Sequence, residues 1–413
     1  MSYIHNGVSF EVNTSHGQMV LSAAYRAAQR PLCLCSGPPG IPVYVATNGP
    51  SYHLRRMPAS AASHTMECDH FEPPCDVTGL GAVNGTAIMT EDAGESYKLA
   101  LGFSLGKSQG RALPPHSDDA GSAQTVEAKP KKLSIRALLD HLWHSARLTH
   151  WSPAMTGRRN WPVVKHALSQ AATSSEVRGS PLLDRLFIPE PWNLAAKTAI
   201  AARRAAALQR IAHVSAAKVG YAILVGEFKD LTAERFGVQL VIKHLPDFPI
   251  LMDQATHKRA AALLEPLQHG ASVIEEAHII VIATIAPAKM GGAQLIEVAF
   301  MLVDKRWLPI VDASAHELID SLAESERRFF VGCRYGVAPD RILATAVLTD
   351  TKQNGARSPI ALYALPPDLS DDSAEALDDL TEKSGLRAWF WKHGEVMPPF
   401  PAINDYCDET RPA

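Results

Sequence analysis

Cys33, Cys35, His64 and Cys68 are the residues of this chain whose types and spacing most directly imply chemistry. Thiolate sulfur and imidazole nitrogen are preferred ligands of zinc, which takes four of them tetrahedrally in structural sites. The pattern is Cys33-Leu34-Cys35, then a stretch that reads as a β-hairpin, then His64-Thr65-Met66-Glu67-Cys68. Ligand pairs on either side of a hairpin can converge on one ion, as in zinc ribbons, and four protein ligands leave no position for a catalytic water. The expected cofactor is therefore structural Zn2+. Were Cys33 and Cys35 small buried hydrophobes and His64 a loop residue, the same letters would result. Zinc is the preferred reading because, outside an oxidising compartment, clustered Cys and His bind metal more often than they form disulfides. His70 and Cys75 are alternates for the fourth ligand, and Cys333 and Cys407 read as ordinary thiols.

A second motif concerns phosphodiester chemistry. Glu227-Phe228-Lys229 follows an apolar strand, with Asp230, Asp247 and Asp253 near it in sequence. An acid paired with Glu-x-Lys can hold a divalent metal and orient water, although a solvent-facing strand end spells the same letters. The signatures of a Walker-type phosphate loop, a dinucleotide fingerprint and a nucleophile elbow do not occur in the sequence.

These residues must be positioned by more than one core, because 413 residues exceed what a single hydrophobic core usually organises. With 46% hydrophobic and 20% charged residues the composition is globular. No run approaches the roughly 20 apolar residues that cross a bilayer, and the first ten residues lack the features of a secretory signal, so a cytoplasmic protein without a membrane partner is expected. The expected fold class is α+β and multidomain: a small β-rich, zinc-ribbon-like module over residues 1–104, a flexible Gly/Ser/Pro-rich linker over 105–132, a basic helical segment over 133–219, and a mixed α/β sheet domain over 220–413, divisible at 311/312.

In the first module, 41–46 and 52–56 flank Asn48-Gly49, a hairpin signal, and 86–90 with 97–103 form a second pair. Helical spacing of Ile135, Leu138, Leu139, Leu142 and Trp143 marks one helix; Asn160 is placed to cap another over 161–171, and an Ala-rich third is expected over 193–218. Strands are expected at 221–226, 238–245, 278–285 and 296–303, with a helix over 255–268 among them. A helix over 313–331, strands at 342–349 and 360–365, a helix over 373–383 and a strand at 387–391 complete the chain. Trp143, Trp151 and Trp161 read as core rather than as base-stacking platforms, and His141, His144, His150 and His166 as surface or satisfied core.

The net charge of −3 conceals a strong asymmetry. Residues 131–218 hold 14 Lys and Arg against 4 acids, a surplus of ten positive charges that leaves −13 for the remainder. Either an anionic partner meets this middle segment or it docks on the protein's own acidic parts. Under the first alternative Arg147, Arg158, Arg159, Lys165, Arg203 and Arg204 supply phosphate contacts to a nucleic acid.

Several segments carry a resemblance. Arg30-Pro31-Leu32-Cys33-Leu34-Cys35, Leu54-Arg55-Arg56-Met57-Pro58, Gly157-Arg158-Arg159-Asn160-Trp161, Leu186-Phe187-Ile188-Pro189-Glu190-Pro191, Lys243-His244-Leu245-Pro246-Asp247 and Val347-Leu348-Thr349-Asp350-Thr351 together resemble an uncharacterised bacterial domain-of-unknown-function family of about this length. The resemblance covers most of the chain and implies a setting on plasmids and integrative elements, but no activity. Arg327-Arg328-Phe329-Phe330 followed by residues 343–351 is similar to restriction-endonuclease-like folds. Asp350 would be the metal-holding acid of that pattern, but residues 360–365 supply neither carboxylate nor lysine, which implies a degenerate site. The expected function is thus a non-catalytic nucleic-acid-binding or accessory protein of a mobile element with a structural zinc. A metal-dependent nuclease at Glu227 and Lys229 or at Asp350, and a protein-interaction scaffold, are the alternatives.

Overall fold

Long β-branched runs dominate the centre of the sequence, and in the computed structural model they close on themselves. The structure describes residues 2–48, 51–57, 60–90, 96–108, 130–215, 218–234, 237–288, 291–338 and 340–405. Strand Ala222–Glu234 pairs with Gly237–Ile242, that with Ile250–Met252, that with Ala293–Val303, that with His278–Pro287, and the last pairs back with Ala222–Glu234. The result is a five-stranded barrel, with Leu186–Phe187 and Pro309–Ile310 added at its margins.

Alternation along a strand sends successive side chains to opposite faces. Here both faces are covered, which is why these strands read as continuous apolar runs. Ile223, Val225, Ile280, Ile282, Ala299 and Met301 join one core, shared with Leu138, Leu142, Trp143, Val164 and Leu168. Leu224, Val281, Ala283, Phe300 and Leu302 join the other, shared with Ala260, Leu264, Leu318 and Leu322. Burying each such Leu, Ile or Phe stabilises the fold by about 1.5–3 kcal/mol, so the two-sided barrel is the energetic centre of the molecule.

Seven α-helices occur among the described residues: α1 Ser15–Arg26, α2 Ile135–Ser145, α3 Trp161–Thr173, α4 Lys197–Ala212, α5 Gln254–Val273, α6 Ala313–Glu324 and α7 Asp371–Ser384. Mixed α and β is the class expected. As anticipated, Asn160 caps α3, its side chain accepting from Val163 N. Ser134 caps α2 in the same way through Ala137 N. The hairpin of the first module forms between Ile41–Asn48 and Ser51–Arg56, and Ile88–Thr90 pairs with Tyr97–Leu99.

Two expectations are corrected, and one element is added. The β-rich first module also contains α1; only Gly17, Leu21 and Ala24 of that helix are buried, too sparse a stripe to stand out in sequence. Gly17 is needed there because a Cβ would fall 1.8 Å from the Glu11 carbonyl oxygen. The helix expected over 313–331 ends at Glu324; Glu326 takes a left-handed conformation, and Phe329–Val331 is a strand between His150–Trp151 and Ala346–Leu348. The Ala-rich helix α4 is shorter than expected and gives way to strand His213–Ser215.

Sheets also reach across the expected segment limits. Gly106–Ser108 pairs with Lys218–Gly220, Tyr97–Leu99 with Ser175–Val177, and Leu186–Phe187 with Ala222–Glu234. Most of the linker expected over 105–132, namely 109–129, lies outside the described residues. Helix α2, expected to lie in a basic belt, is instead a core element: nine of its eleven residues are buried, including Trp143, whose Nε1 donates to Trp307 O at 3.0 Å. Trp151 and Trp161 are buried as well. Among the described residues no helix is long and apolar enough to cross a membrane.

Candidate metal centre

Cys33 ends the two-residue strand Leu32–Cys33, which pairs on one side with Tyr3–His5 and on the other with Ile41–Asn48. Cys35 follows in the loop that leads into the hairpin. After the hairpin the chain makes a short 3-10 turn, Ala61–Ser63, that delivers His64, and the next turn, closed by Cys68 N to Thr65 O at 2.9 Å, delivers Cys68. The four ligand atoms lie within 4.8 Å of one another. Cys33 Sγ stands 3.6 Å from Cys68 Sγ, and His64 Nδ1 stands 3.3 Å from Cys35 Sγ and 3.5 Å from Cys68 Sγ. A zinc tetrahedron with Zn–S of about 2.3 Å and Zn–N of about 2.05 Å has S–S edges of about 3.8 Å and S–N edges of about 3.6 Å. These three separations are within about 0.3 Å of those edges, whereas a disulfide would hold its sulfurs at about 2.05 Å. All of these cysteines are free thiols.

Surrounding groups set the ligands' protons. Ser60 Oγ donates to Met57 O at 3.1 Å and faces His64 Nε2 at 3.4 Å, which assigns the imidazole proton to Nε2 and turns the Nδ1 lone pair toward the sulfurs. Cys33 is drawn down to about 3, first by the hydrogen bond from Cys68 and against burial; Cys68 is pushed up by the same bond and by burial. The two shifts are one coupling seen from both ends, and a metal ion would displace the proton the two sulfurs share. The His70 backbone N–H donates to Cys68 Sγ at 3.4 Å. His70 itself is not a ligand: its Nε2 is 3.2 Å from Tyr3 Oη, and burial first, then His64, lowers it to about 4. Cys75 lies outside the cluster, beside Asp76 and Asn84, and Cys333 is buried.

The chain leaving the centre enters a buried polar cluster that no sequence pattern announced. Glu72 forms an ion pair with Arg56 and meets His144 Nε2 at 3.2 Å and His150 Nε2 at 3.6 Å. Burial pushes this carboxyl up, but Arg56 and then the two histidines hold it well below the ordinary carboxylate range. Arg357 reaches the same segment from the C-terminal region, donating to Cys68 O at 2.8 Å and pairing with Asp69 at 3.1 Å. The centre therefore sits where the first module meets the rest of the molecule.

Of the six basic residues expected to contact phosphate, Lys165, Arg203 and Arg204 line one cavity together with Glu190, and Arg147 lines another. Arg159 is turned inward, donating to the carbonyls of Leu148, Arg306 and His150 and lying over the Trp151 ring. Arg203 pairs with Glu190 at 2.8 Å and Arg204 with Asp247 at 2.8 Å, each through two nitrogens. Arg158 is exposed, Arg147 and Lys165 are partly buried, and none of these three has an ion pair among the described residues.

Neither nuclease candidate belongs to a metal-holding group among the described residues. In the strand Ala222–Glu234 the register slips between Phe228 and Asp230, leaving Lys229 unmatched and exposed. Glu227 is buried and takes Lys243 Nζ at 2.6 Å and His278 Nδ1 at 2.8 Å instead. Asp350 accepts two hydrogen bonds from the buried Arg327 guanidinium, at 3.0 and 2.8 Å, and one from Arg328 N at 2.8 Å. Among the described residues the Cys33, Cys35, His64 and Cys68 group is the one arrangement suited to a metal ion.

Compared with known proteins, residues 3–394 match one family model, described as "Protein of unknown function (DUF1173)". No curated protein and no solved structure matches the chain.

Proposed function

The chain belongs to that family, and because the family's description names no activity we propose from the geometry that it is a zinc-binding protein whose metal is structural. One observation carries this reading: three sulfurs and one imidazole nitrogen, from both sides of a hairpin, lie within 4.8 Å of one another, three of their separations being close to the edge lengths of a zinc tetrahedron. Four side-chain ligands complete the coordination, so a bound ion has no open position for water or substrate. Cys33, Cys68 and His64 are buried, which fits a stapling ion rather than a reacting one. The ion would hold Cys68 in place and with it Glu72, four residues on, in its pocket against Arg56, His144 and His150. The purified protein is expected to contain one zinc per chain. Replacing zinc by cobalt is expected to give the intense visible absorption of tetrahedral thiolate-ligated cobalt. Metal content well below one ion per chain after expression in zinc-replete medium, together with an octahedral cobalt spectrum, would reject it.

Nucleic acid is the second reading of the partner. It is supported by the exposed position of Arg158 and by the lack of ion pairs at Arg158 and Lys165 among the described residues. With Arg159, Arg203 and Arg204 engaged by the protein itself, few contacts remain, so this reading entails weak binding and a shallow salt slope. In a shift assay with a DNA duplex at low salt, Arg158→Glu is expected to abolish what binding there is. A retained shift in that variant would end this reading.

A further inference from the structure

A cavity of about 460 Å³ opens beside the metal centre, lined by Tyr3, His53, Arg55, Asp69, His70 and Arg147 among others. Its lining holds two guanidiniums, Arg55 and Arg147, and two carboxylates, Glu11 and Asp69, and no ion pair joins them. Arg147 is partly buried, directly after α2, and has no hydrogen bond from its side chain and no ion pair among the described residues. Arg55, on the hairpin strand Ser51–Arg56, has none either. The carboxylates nearby are in use or at the edge: Glu72 is held by Arg56, His144 and His150, Asp69 pairs with Arg357, and Glu11, which also lines the cavity, is exposed. Burial draws the Arg147 guanidinium down to about 10; Glu72 opposes this, while Arg56 and Arg55 add to it. Arg147 also takes a left-handed backbone conformation, φ 57°, which a non-glycine residue rarely adopts.

A part-buried cation without a partner carries a desolvation cost, and Arg147, with the exposed Arg55 on the same cavity, makes an anion the fitting partner. We propose that this cavity binds a phosphate monoester, held by Arg147 and Arg55. A monoester carries nearly two negative charges at neutral pH, which suits two arginines better than a carboxylate does, and the planar guanidinium fork matches phosphate oxygens. The volume lies in the range of small-ligand sites, about 300–1,000 Å³, and leaves room for the group that bears the phosphate. His53, exposed on the same wall, is a further donor to it. The site depends on neither Arg158 nor Lys165, so it stands apart from the nucleic-acid reading above.

The test is calorimetric titration of the zinc-loaded full chain with inorganic phosphate, with AMP, and with a short DNA strand bearing either a 5′-phosphate or a 5′-hydroxyl. Saturable binding of phosphate or AMP at one site per chain is expected. Arg147→Met and Arg55→Met are each expected to weaken it about tenfold or more, the loss of a charge-assisted contact, and Lys258→Met, exposed on α5, to leave it unchanged. Tighter binding of AMP than of the strand identifies a small-molecule monoester. Preference for the 5′-phosphorylated strand over the 5′-hydroxyl strand and over AMP identifies a nucleic-acid end, and both outcomes support the site. The proposal is overturned if no probe saturates, if both strands bind equally and AMP does not, or if binding survives in Arg55→Met, an exposed position whose substitution leaves the fold intact.

Discussion

A Cys68→Ser protein is expected to purify without stoichiometric zinc and to expose the segment from Tyr3 to Glu72 to proteolysis, while Cys75→Ser behaves as the parent does. The reason is the size of the local core. The cluster around α1 and its sheet holds eight buried apolar residues, two of which, Cys33 and Cys68, are themselves proposed ligands. Such a core supplies little stability by itself. Structural zinc contributes about 10–16 kcal/mol of apparent binding free energy in zinc-finger peptides, as much as the whole stability of many domains. Chelation of the parent protein is expected to reproduce the variant's lowered melting temperature and new cleavage sites, and added zinc to reverse both. Should Cys68→Ser melt and digest like the parent, the thiols are ordinary core residues and the metal reading fails.

Glu72→Gln is the second large effect, expected to lower stability by about 3–5 kcal/mol, the cost of leaving a buried charge without its counter-charge. Arg56 is buried, and a guanidinium keeps its proton even without a partner, so in the variant its charge stays while the support that Glu72 gives against burial is lost. The arrangement also fixes a sign for pH. The folded-state pKa of Glu72 is depressed, so its contribution is complete above the unfolded carboxyl value and is lost as pH falls through the folded one. His150 acts in the same direction: burial, then Arg147, holds it well below its ordinary value, so its contribution is present above about pH 6.5 and diminishes on acidification. Urea midpoints for the parent are therefore expected to fall between pH 7 and pH 4, and the steepest acid limb to flatten in Glu72→Gln. A variant within about 0.5 kcal/mol of the parent at pH 7 would mean that the ion pair contributes nothing to the fold, as at an ordinary surface site.

Legibility in the sequence varied with the range of the interaction. The hairpin between Ile41–Asn48 and Ser51–Arg56, the Asn160 cap of α3 and four of the five barrel strands rest on neighbours a few residues apart and formed about where local pattern placed them, whereas the short strand Ile250–Met252 was not expected and Ala222–Glu234 runs well past residue 226. The end of α6 also departed from the local pattern, because Arg327 leaves the helix to reach Asp350, a partner 23 residues away, and Phe329–Val331 is drawn between two strands. Position, likewise, could not be read from charge composition. A surplus of arginine reads as an exposed belt, yet Arg159 caps buried carbonyls, Arg203 and Arg204 meet carboxylates, and α2, in the middle of the basic stretch, is nearly all core.

By itself the sequence determined what the ligand atoms are and where the chain turns, since thiol, imidazole, turn and apolar alternation are properties of residues and near neighbours. Only the tertiary structure decided that Cys33, Cys35, His64 and Cys68 share one point, that Glu72 is buried with Arg56, and that Arg55 and Arg147 face one cavity. Electrostatic energies depend on distance and burial, and both are set by how remote segments pack, which the order of the residues along the chain does not record.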